Sequence, residues 1–96
     1  MIVQEKELNK IIRKNFYLKD ICLEIDGILY GKIYFKKAEC KYRYKIGILI
    51  IFDIVNILKV DLSSEYEIIF NKKEKSLIIK LDNGQDIKIL EFKSKQ

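Results

Sequence analysis

Short apolar runs that alternate with charged residues, separated by Asp-Gly and Asn-Gly turn signals, constrain the fold of this chain more than any other feature. The clearest run covers residues 40–46 and consists of Cys40, Tyr42, Tyr44 and Ile46 alternating with Lys41, Arg43 and Lys45. A period of two residues is typical of a strand with one buried face. The sequence therefore predicts short antiparallel strands, and we expect Gly47 to end this one.

Length and composition predict one ordered domain, residues 1–96. Of the 96 residues, 49% are hydrophobic and 34% are charged, and Pro is absent. This balance argues against disorder and linker segments. The longest unbroken apolar stretch, Ile48–Phe52, is far shorter than the ~18 residues that a membrane-spanning helix needs, and no secretory signal is visible. We therefore expect a soluble, cytoplasmic protein with no membrane contact.

The C-terminal third has the pattern of a meander, with strands at Tyr66–Asn71, Ser76–Leu81 and 86–92. A three-residue loop at 82–84 gives the pairs Ile79 with Ile87, Leu77 with Ile89, and Lys80 with Asp86. A four-residue loop at 72–75 gives the pairs Phe70 with Leu77, and Ile68 with Ile79. Apolar residues then face apolar residues and opposite charges meet, as cross-strand pairing favours.

The N-terminal segment has helical spacing. Leu8, Ile11 and Ile12 recur at intervals of three and four residues, and the charges are ordered along the segment, with Glu5 and Glu7 at the early end and Lys10, Arg13 and Lys14 at the late end. This charge order complements the helix dipole. The spacing therefore predicts an amphipathic helix over residues 3–14, with Asn15 as its stop.

Asp26-Gly27 lies between two β-rich runs and is a strong hairpin signal. A two-residue loop would place Ile21 opposite Lys32 and mix the two faces. A three-residue loop at 25–27, with Gly27 in the left-handed conformation, instead pairs Leu23 with Leu29, and Asp20 with Lys32. We predict this register because it collects the apolar residues on one face; they are Ile21, Leu23, Leu29, Ile33 and Phe35.

Residues 48–60 are rich in β-branched side chains, yet Asp53, Asn56 and Lys59 recur every three positions. That spacing predicts a mostly buried helix with a narrow polar stripe; a strand that continues through Phe52 is the alternative. With the helix, the element order is helix-βββ-helix-βββ. The expected fold class is therefore α+β, a small single domain whose antiparallel sheet carries the helices on one face.

Catalytic chemistry is poorly supported, because the chain contains no His. Without imidazole, His-dependent nucleophilic triads and nearly all zinc-hydrolase sites are excluded. No Gly-rich phosphate loop is present, and Ser63 and Ser64 are expected to be turn residues. Cys22 and Cys40 are predicted to lie too far apart for a disulfide and to be free, inert thiols. We therefore predict no enzyme activity, no cofactor and no metal site.

The net charge of +5 favours polyanions or acidic proteins as partners. The chain has 17 Lys, 2 Arg and 19 Ile, a joint enrichment of Lys and Ile that an A+T-rich genome would produce. Part of the basicity therefore reflects codon usage. The scarcity of Arg counts against nucleic-acid binding, because Arg makes the bidentate contacts to phosphate.

Residues 34–45 combine aromatic side chains with cations and supply the candidate binding residues. These are Tyr34, Lys36, Lys37, Lys41, Arg43 and Lys45. A basic groove with aromatic faces holds single-stranded nucleic acid. On a strand, however, Tyr42 and Tyr44 point away from the cations, so core aromatics beneath a solvated basic face are the favoured interpretation. The other clustered cations are expected to be solvated; they are Lys72, Lys73, Lys75, Lys93 and Lys95.

Two functions remain. The first is a small inhibitor or adaptor that binds a protein or ribonucleoprotein through exposed Tyr and Lys on a sheet face or edge. In size and composition alone, such a chain is similar to phage and mobile-element factors such as anti-CRISPR and immunity proteins. The second is a nucleic-acid-binding module that uses the basic-aromatic strand. A homodimer formed through a sheet edge stays open.

Overall fold

The computed structural model describes residues 2–62 and 66–92, and within them one helix precedes seven strands. The elements are α1 (Glu5–Asn15), β1 (Lys19–Asp26), β2 (Gly31–Arg43), β3 (Ile48–Phe52), β4 (Ile57–Asp61), β5 (Tyr66–Asn71), β6 (Ser76–Leu81) and β7 (Asp86–Glu91). The predictions for Ser63, Ser64, Lys93 and Lys95 lie outside the described residues.

All neighbouring strands are antiparallel, in the order β4-β3-β2-β1-β7-β6-β5. Two meanders, β1 to β4 and β5 to β7, are joined where β1 pairs with β7. The outermost strands, β4 and β5, are separated in the chain by residues 62–65, so Asp61 and Tyr66 lie at most about 18 Å apart. The edges of a flat sheet with this many strands would lie about 29 Å apart. The sheet is therefore curved, so that the end of β4 approaches the start of β5.

One hydrophobic core lies on the inner face of the curved sheet, and α1 contributes to it. Side chains with an exposed fraction of 1% or less include Leu8, Ile12, Phe16, Ile21, Leu23, Phe35, Leu49, Ile51, Ile68, Leu77, Ile79 and Ile89. Burying one Leu, Ile or Phe side chain stabilises a fold by ~1.5–3 kcal/mol. The two meanders are thus held by one shared core.

The predicted N-terminal helix is confirmed, with its ends shifted by one or two residues. Glu5 and Glu7 lie in its first turn, and Arg13 and Lys14 in its last. This arrangement places each charge at the end of the helix dipole that it stabilises. The final turn is closed by the Phe16 N–H, which donates to Ile12 O at 2.9 Å.

α1 covers an edge of β2 that β1 does not reach. β1 pairs with residues 31–38 of β2, so residues 39–43 have β3 as their strand neighbour. There the Asn9 side chain acts in place of a strand: Nδ2 donates to Tyr42 O, and Oδ1 accepts the Tyr42 N–H, each at 2.8 Å. The helix is thereby fixed beside the second half of β2.

The predicted second helix is wrong, and with it the helix-βββ-helix-βββ order and the α+β class with helices packed on one sheet face. Residues 48–60 form β3 and most of β4, so the described chain is mainly a seven-stranded antiparallel sheet with one short helix. Asp53 and Asn56 mark a turn instead of a polar stripe. Asp53 Oδ1 accepts the N–H groups of Val55 and Asn56. The alternative, a strand through Phe52, is the structure that forms.

The predicted register of the first hairpin is also wrong. Leu23 pairs with Ile33, and Ile25 with Gly31, which leaves a five-residue loop at 26–30. Leu29, expected in the core, is 70% exposed. The positive φ expected at Gly27 is confirmed, at 126°.

β2 is one strand of 13 residues where the sequence predicted two strands. It contains a bulge at Lys36 and Lys37, where the register with β1 shifts and Lys37 has a φ of 50°. Because the bulge adds one residue, the buried side changes from odd to even positions, from Phe35 to Ala38. Beyond the bulge, the odd positions therefore face outward.

The C-terminal meander is confirmed in its strands and in both registers. β6 and β7 pair Lys80 with Asp86, and their loop is the predicted one at 82–84. β5 and β6 pair Phe70 with Leu77 across the predicted loop at 72–75. The remaining predicted pairs also form.

Candidate basic groove

Four cations of α1 form a stripe along the helix. Lys6, Lys10, Arg13 and Lys14 are all exposed, and they are spaced by four, three and one residues. Positions three and four apart share a helix face, and Leu8 and Ile12 take the face that packs on the core. The stripe lines one wall of a groove with a volume of about 1080 Å³.

The base of the groove is the outer surface of β2 beyond the bulge. Glu39, Lys41 and Arg43 are exposed there, while Cys40 and Tyr42, which alternate with them, are buried. All three exposed side chains line the groove. The bulge therefore decides which side chains of β2 point into the groove, because without the extra residue the opposite set would point outward.

The far side of the groove is apolar. Ile50 of β3 pairs with Lys41, and Phe52 with Glu39; both β3 side chains are half-buried on the outer surface and line the groove. Tyr17, just beyond α1, is 39% exposed and also lines it. Across the groove from α1 over β2 to β3, the lining thus changes from cationic to apolar.

The groove brings together six cations and one carboxylate, Glu39. Both arginines of the chain, Arg13 and Arg43, are among the six, although they belong to different elements. Within the described residues, none of the six forms an ion pair; those found elsewhere are Lys19–Glu91, Lys32–Glu24 and Lys88–Glu74. Like charges on a concave surface raise the local potential and concentrate anions there.

Two of the six predicted binding residues, Lys41 and Arg43, line the groove. Tyr34 lies on the outer face of β2 before the bulge, where its ring meets the Phe92 ring edge-on at a centroid distance of 5.2 Å. Lys36 and Lys37 form the bulge, and Lys45 lies in the turn after β2. A binding role for these four stays a prediction.

The bulge itself is held by two carboxylates. The Lys36 N–H donates to Asp53 Oδ2 at 2.9 Å, and the Lys37 N–H donates to Asp20 Oδ1 at 3.0 Å. The backbone N–H groups of Val55 and Asn56 donate to the other oxygen of Asp53. These backbone hydrogen bonds, first that from Asn56 and then that from Lys36, lower the pKa of Asp53. Asp53 therefore links the β3–β4 turn to the bulge.

Sequence reasoning missed the helical half of the site. The helix dipole was the explanation for Lys10, Arg13 and Lys14, but only Arg13 and Lys14 lie in the last turn. The dipole gives no reason for Lys6 or for a stripe of four cations. Their spacing on one face was the available signal. What the sequence could not show is that β2 extends past β1 and that α1 lies beside the extension.

Two loops outside the groove expose apolar side chains. The β1–β2 loop presents Leu29 and Tyr30, which are 70% and 79% exposed, and the β3–β4 turn presents Ile54 and Val55 at 102% and 84%. Apolar groups clustered on a surface often mark contacts with other proteins.

Both cysteines are free and buried. Cys22 pairs with Tyr34 across the strands, and Cys40 lies six residues further along β2; at ~3.3 Å per residue this is about 20 Å, too far for a disulfide. Burial raises the pKa of Cys40 to about 12. Burial, with a smaller contribution from Glu24, also raises the pKa of Cys22. Among the described residues, no group of three or more His, Cys, Asp or Glu is placed to hold a metal.

No protein-family model matches the chain, and neither a curated protein nor a solved structure is significantly similar to it. The helix in the described residues is too short and too polar to cross a membrane.

Proposed function

We propose that this chain is a non-enzymatic, cytoplasmic protein that binds nucleic acid, with the phosphate groups held in the basic groove. The observation that carries the proposal is the convergence of six cations from α1 and β2 on one concave surface. Lys and Arg that neutralise phosphates release condensed counterions, and this release supplies most of the affinity in sequence-independent binding.

The two arginines favour phosphate over a general attraction for acidic surfaces. A guanidinium offers a planar set of donors that matches two phosphate oxygens, whereas an ammonium acts as a point charge. Composition makes Arg rare in this chain, yet Arg13 and Arg43 line the same groove. The scarcity that counted against nucleic-acid binding therefore loses much of its weight.

The length of the cationic stripe suits a short nucleic-acid segment. From Lys6 to Lys14 the helix rises about 12 Å at 1.5 Å per residue. This distance corresponds to three or four phosphates along a strand of B-form DNA, at about 3.4 Å of rise each, and to fewer along an unstacked strand. We therefore expect a small number of phosphate contacts and a moderate salt dependence.

A protein or ribonucleoprotein partner is the second candidate, in the inhibitor or adaptor role that the sequence predicted. The exposed apolar side chains of Leu29, Tyr30, Ile54 and Val55 favour it, because they lie outside the basic groove. A ribonucleoprotein partner could contact both parts of the surface, with its nucleic acid in the basic groove and its protein at the exposed apolar side chains. A homodimer through a sheet edge stays a prediction.

The experiment is a fluorescence-anisotropy titration of a labelled oligonucleotide of about 20 nucleotides, longer than the ~4–16 that comparable grooves occupy. Because few phosphate contacts are expected, we predict binding at about 50 mM salt that weakens moderately towards about 200 mM. The double variant Arg13→Gln, Arg43→Gln should bind at least about tenfold more weakly, because two phosphate contacts are removed. The two side chains that are replaced are exposed, so the fold should be retained.

The matched control is Lys72→Gln, Lys73→Gln, which removes the same charge from the β5–β6 turn, outside the groove. It should bind within about threefold of the wild type, since long-range charge effects are screened at these salt concentrations. An undetectable wild-type interaction at the lower salt, or an equal loss in both variants, would refute a groove-centred site.

A further inference from the structure

We infer that the ligand of the basic groove is single-stranded nucleic acid whose bases lie on the outer surface of β3. The inference rests on the proposed function and adds the strand state of the ligand and the residues that meet its bases. Its basis is the change in lining across the groove, from the cations of α1 and β2 to Ile50 and Phe52 of β3.

The apolar side extends along the whole outer face of β3. The outward positions of this strand are Ile48, Ile50 and Phe52, and their partners on β2 are Arg43, Lys41 and Glu39 in that order. All three β3 side chains are half-buried and keep a solvated surface. β2 is therefore polar on its outer face where β3 is apolar, in direct register.

A duplex would contact only the cationic side of the groove. Its phosphates could meet the cations, but its base faces are stacked inside the helix and could not reach Ile50 or Phe52. Polar phosphate groups placed on that apolar surface would lose water without gaining hydrogen bonds, which is unfavourable. A single strand has both parts to offer, since its backbone follows the basic side while its unstacked bases turn to the other.

Two aromatic rings line the groove and could each stack on a base. Phe52 stands on the β3 side, and Tyr17 stands at the end of α1. Stacking of one base on an aromatic ring contributes severalfold to tenfold or more in affinity and tolerates any base. We therefore expect Phe52 and Tyr17 to bind bases and the cations to bind the backbone.

The test compares three labelled ligands of equal length: a single strand, its duplex, and an abasic strand that keeps the sugar-phosphate backbone. We expect the single strand to bind about fivefold or more tightly than either of the others. Phe52→Leu and Tyr17→Leu keep apolar volume but remove a ring, so each should weaken the single strand severalfold and leave the abasic strand unchanged. Tyr44→Leu is the matched control, because Tyr44 is 64% exposed and lies outside the groove.

The outcomes separate this inference from the proposed function. Suppose the abasic strand and the duplex bind as well as the single strand, and the Arg13→Gln, Arg43→Gln variant binds all three weakly. The groove then binds phosphate, and the inference that bases lie on the outer surface of β3 is refuted. If polyglutamate competes as well as the single strand, the partner is an acidic protein and the inference is wrong. Loss of folding in Phe52→Leu, seen by circular dichroism, leaves Tyr17→Leu and the abasic strand as the deciding measurements.

Discussion

Replacing Gly27 by Ala should be among the most damaging single-methyl changes in this protein. Gly27 has a φ of 126°, which an L side chain rarely adopts, and a Cβ there would overlap Gly84 O and lie 3.1 Å from Gln85 Cα. Both opposing atoms belong to backbone, so rotation of a side chain cannot relieve the overlap. The ends of β1 and β7 are paired at this point through Asp26 and Asp86, which limits how far the two loops can separate.

The other glycines allow the two causes to be separated. At Gly84, φ is 89° and a Cβ would meet no atom within 4 Å, so Gly84→Ala measures the backbone strain alone, about 1–2 kcal/mol. Gly31 has neither a positive φ nor a neighbour within 4 Å, and Gly31→Ala should be neutral or stabilise by up to ~1 kcal/mol. Gly27→Ala combines strain with a backbone displacement and should cost about 3 kcal/mol or more.

Urea denaturation followed by circular dichroism gives the free energy of unfolding for each variant as the product of midpoint and slope. A domain of this size has about 5–14 kcal/mol in total, so the loss at Gly27 should shift the midpoint by a large fraction of its value. The expected order of stability is Gly31→Ala at or above the wild type, then Gly84→Ala, then Gly27→Ala. Equal losses at Gly27 and Gly84 would show that the close approach of the two loops is absent.

Two further measurements test other parts of the structure. Asp53→Asn should destabilise the protein at pH 7, because the lowered pKa of Asp53 means that its ionised form stabilises the fold. That contribution is fully present above the unfolded-state pKa of about 4 and is lost progressively as the pH falls from there through the lower pKa of the folded state. The urea midpoints of variant and wild type should therefore differ at pH 7 and differ less at about pH 3, and an unchanged difference would contradict this. Because burial raises the pKa of Cys40 to about 12 and also raises that of Cys22, neither thiol should react with a disulfide reagent at pH 8 until the protein is unfolded; stoichiometric labelling of the native protein would disprove it.

The C-terminal meander could be predicted because all its determinants are local. Asn71 precedes the first turn and accepts the backbone N–H groups of Lys73 and Glu74. Asn83 lies within the second turn and accepts the backbone N–H of Gln85. Such side-chain turns are encoded within a few residues of sequence. The alternating pattern on either side then fixed the register, because any shift by one residue would turn the apolar side chains to solvent.

The predicted register of the first hairpin was wrong for the opposite reason, because its loop depends on a residue that is distant in the chain. Its loop at 26–30 is held by Gln85, whose Nε2 donates to Asp26 O and Leu29 O and whose Oε1 accepts the Leu29 N–H. Gln85 is more than fifty positions away in the chain. No local pattern could reveal that the side-chain amide of a distant residue would stabilise this five-residue loop. The register that buries Leu29 was therefore predicted over the one that exposes it.

The error at residues 48–60 has a different cause. Polar residues three apart can belong to one helix face or to the two ends of a turn, and the spacing of Asp53 and Asn56 does not distinguish these. β-branched side chains on both sides favour strands, and the backbone hydrogen bonds that Asp53 accepts decide in favour of the turn. Here local propensity was the better guide than periodicity.

The groove itself follows from a difference in strand length. β2 has 13 residues and β1 has 8, so the second half of β2 would carry unpaired backbone groups along one edge, which is costly when buried and aggregation-prone when exposed. α1 covers that edge, and Asn9 satisfies the Tyr42 backbone. A helix has a larger radius than a strand, so its solvated stripe stands above the neighbouring sheet surface and a concave channel forms between them. Any chain with this arrangement of helix and strands has such a channel. In this protein the channel is also basic, because Arg13 and Arg43 are among its lining residues. The structural support of β2 does not require that charge.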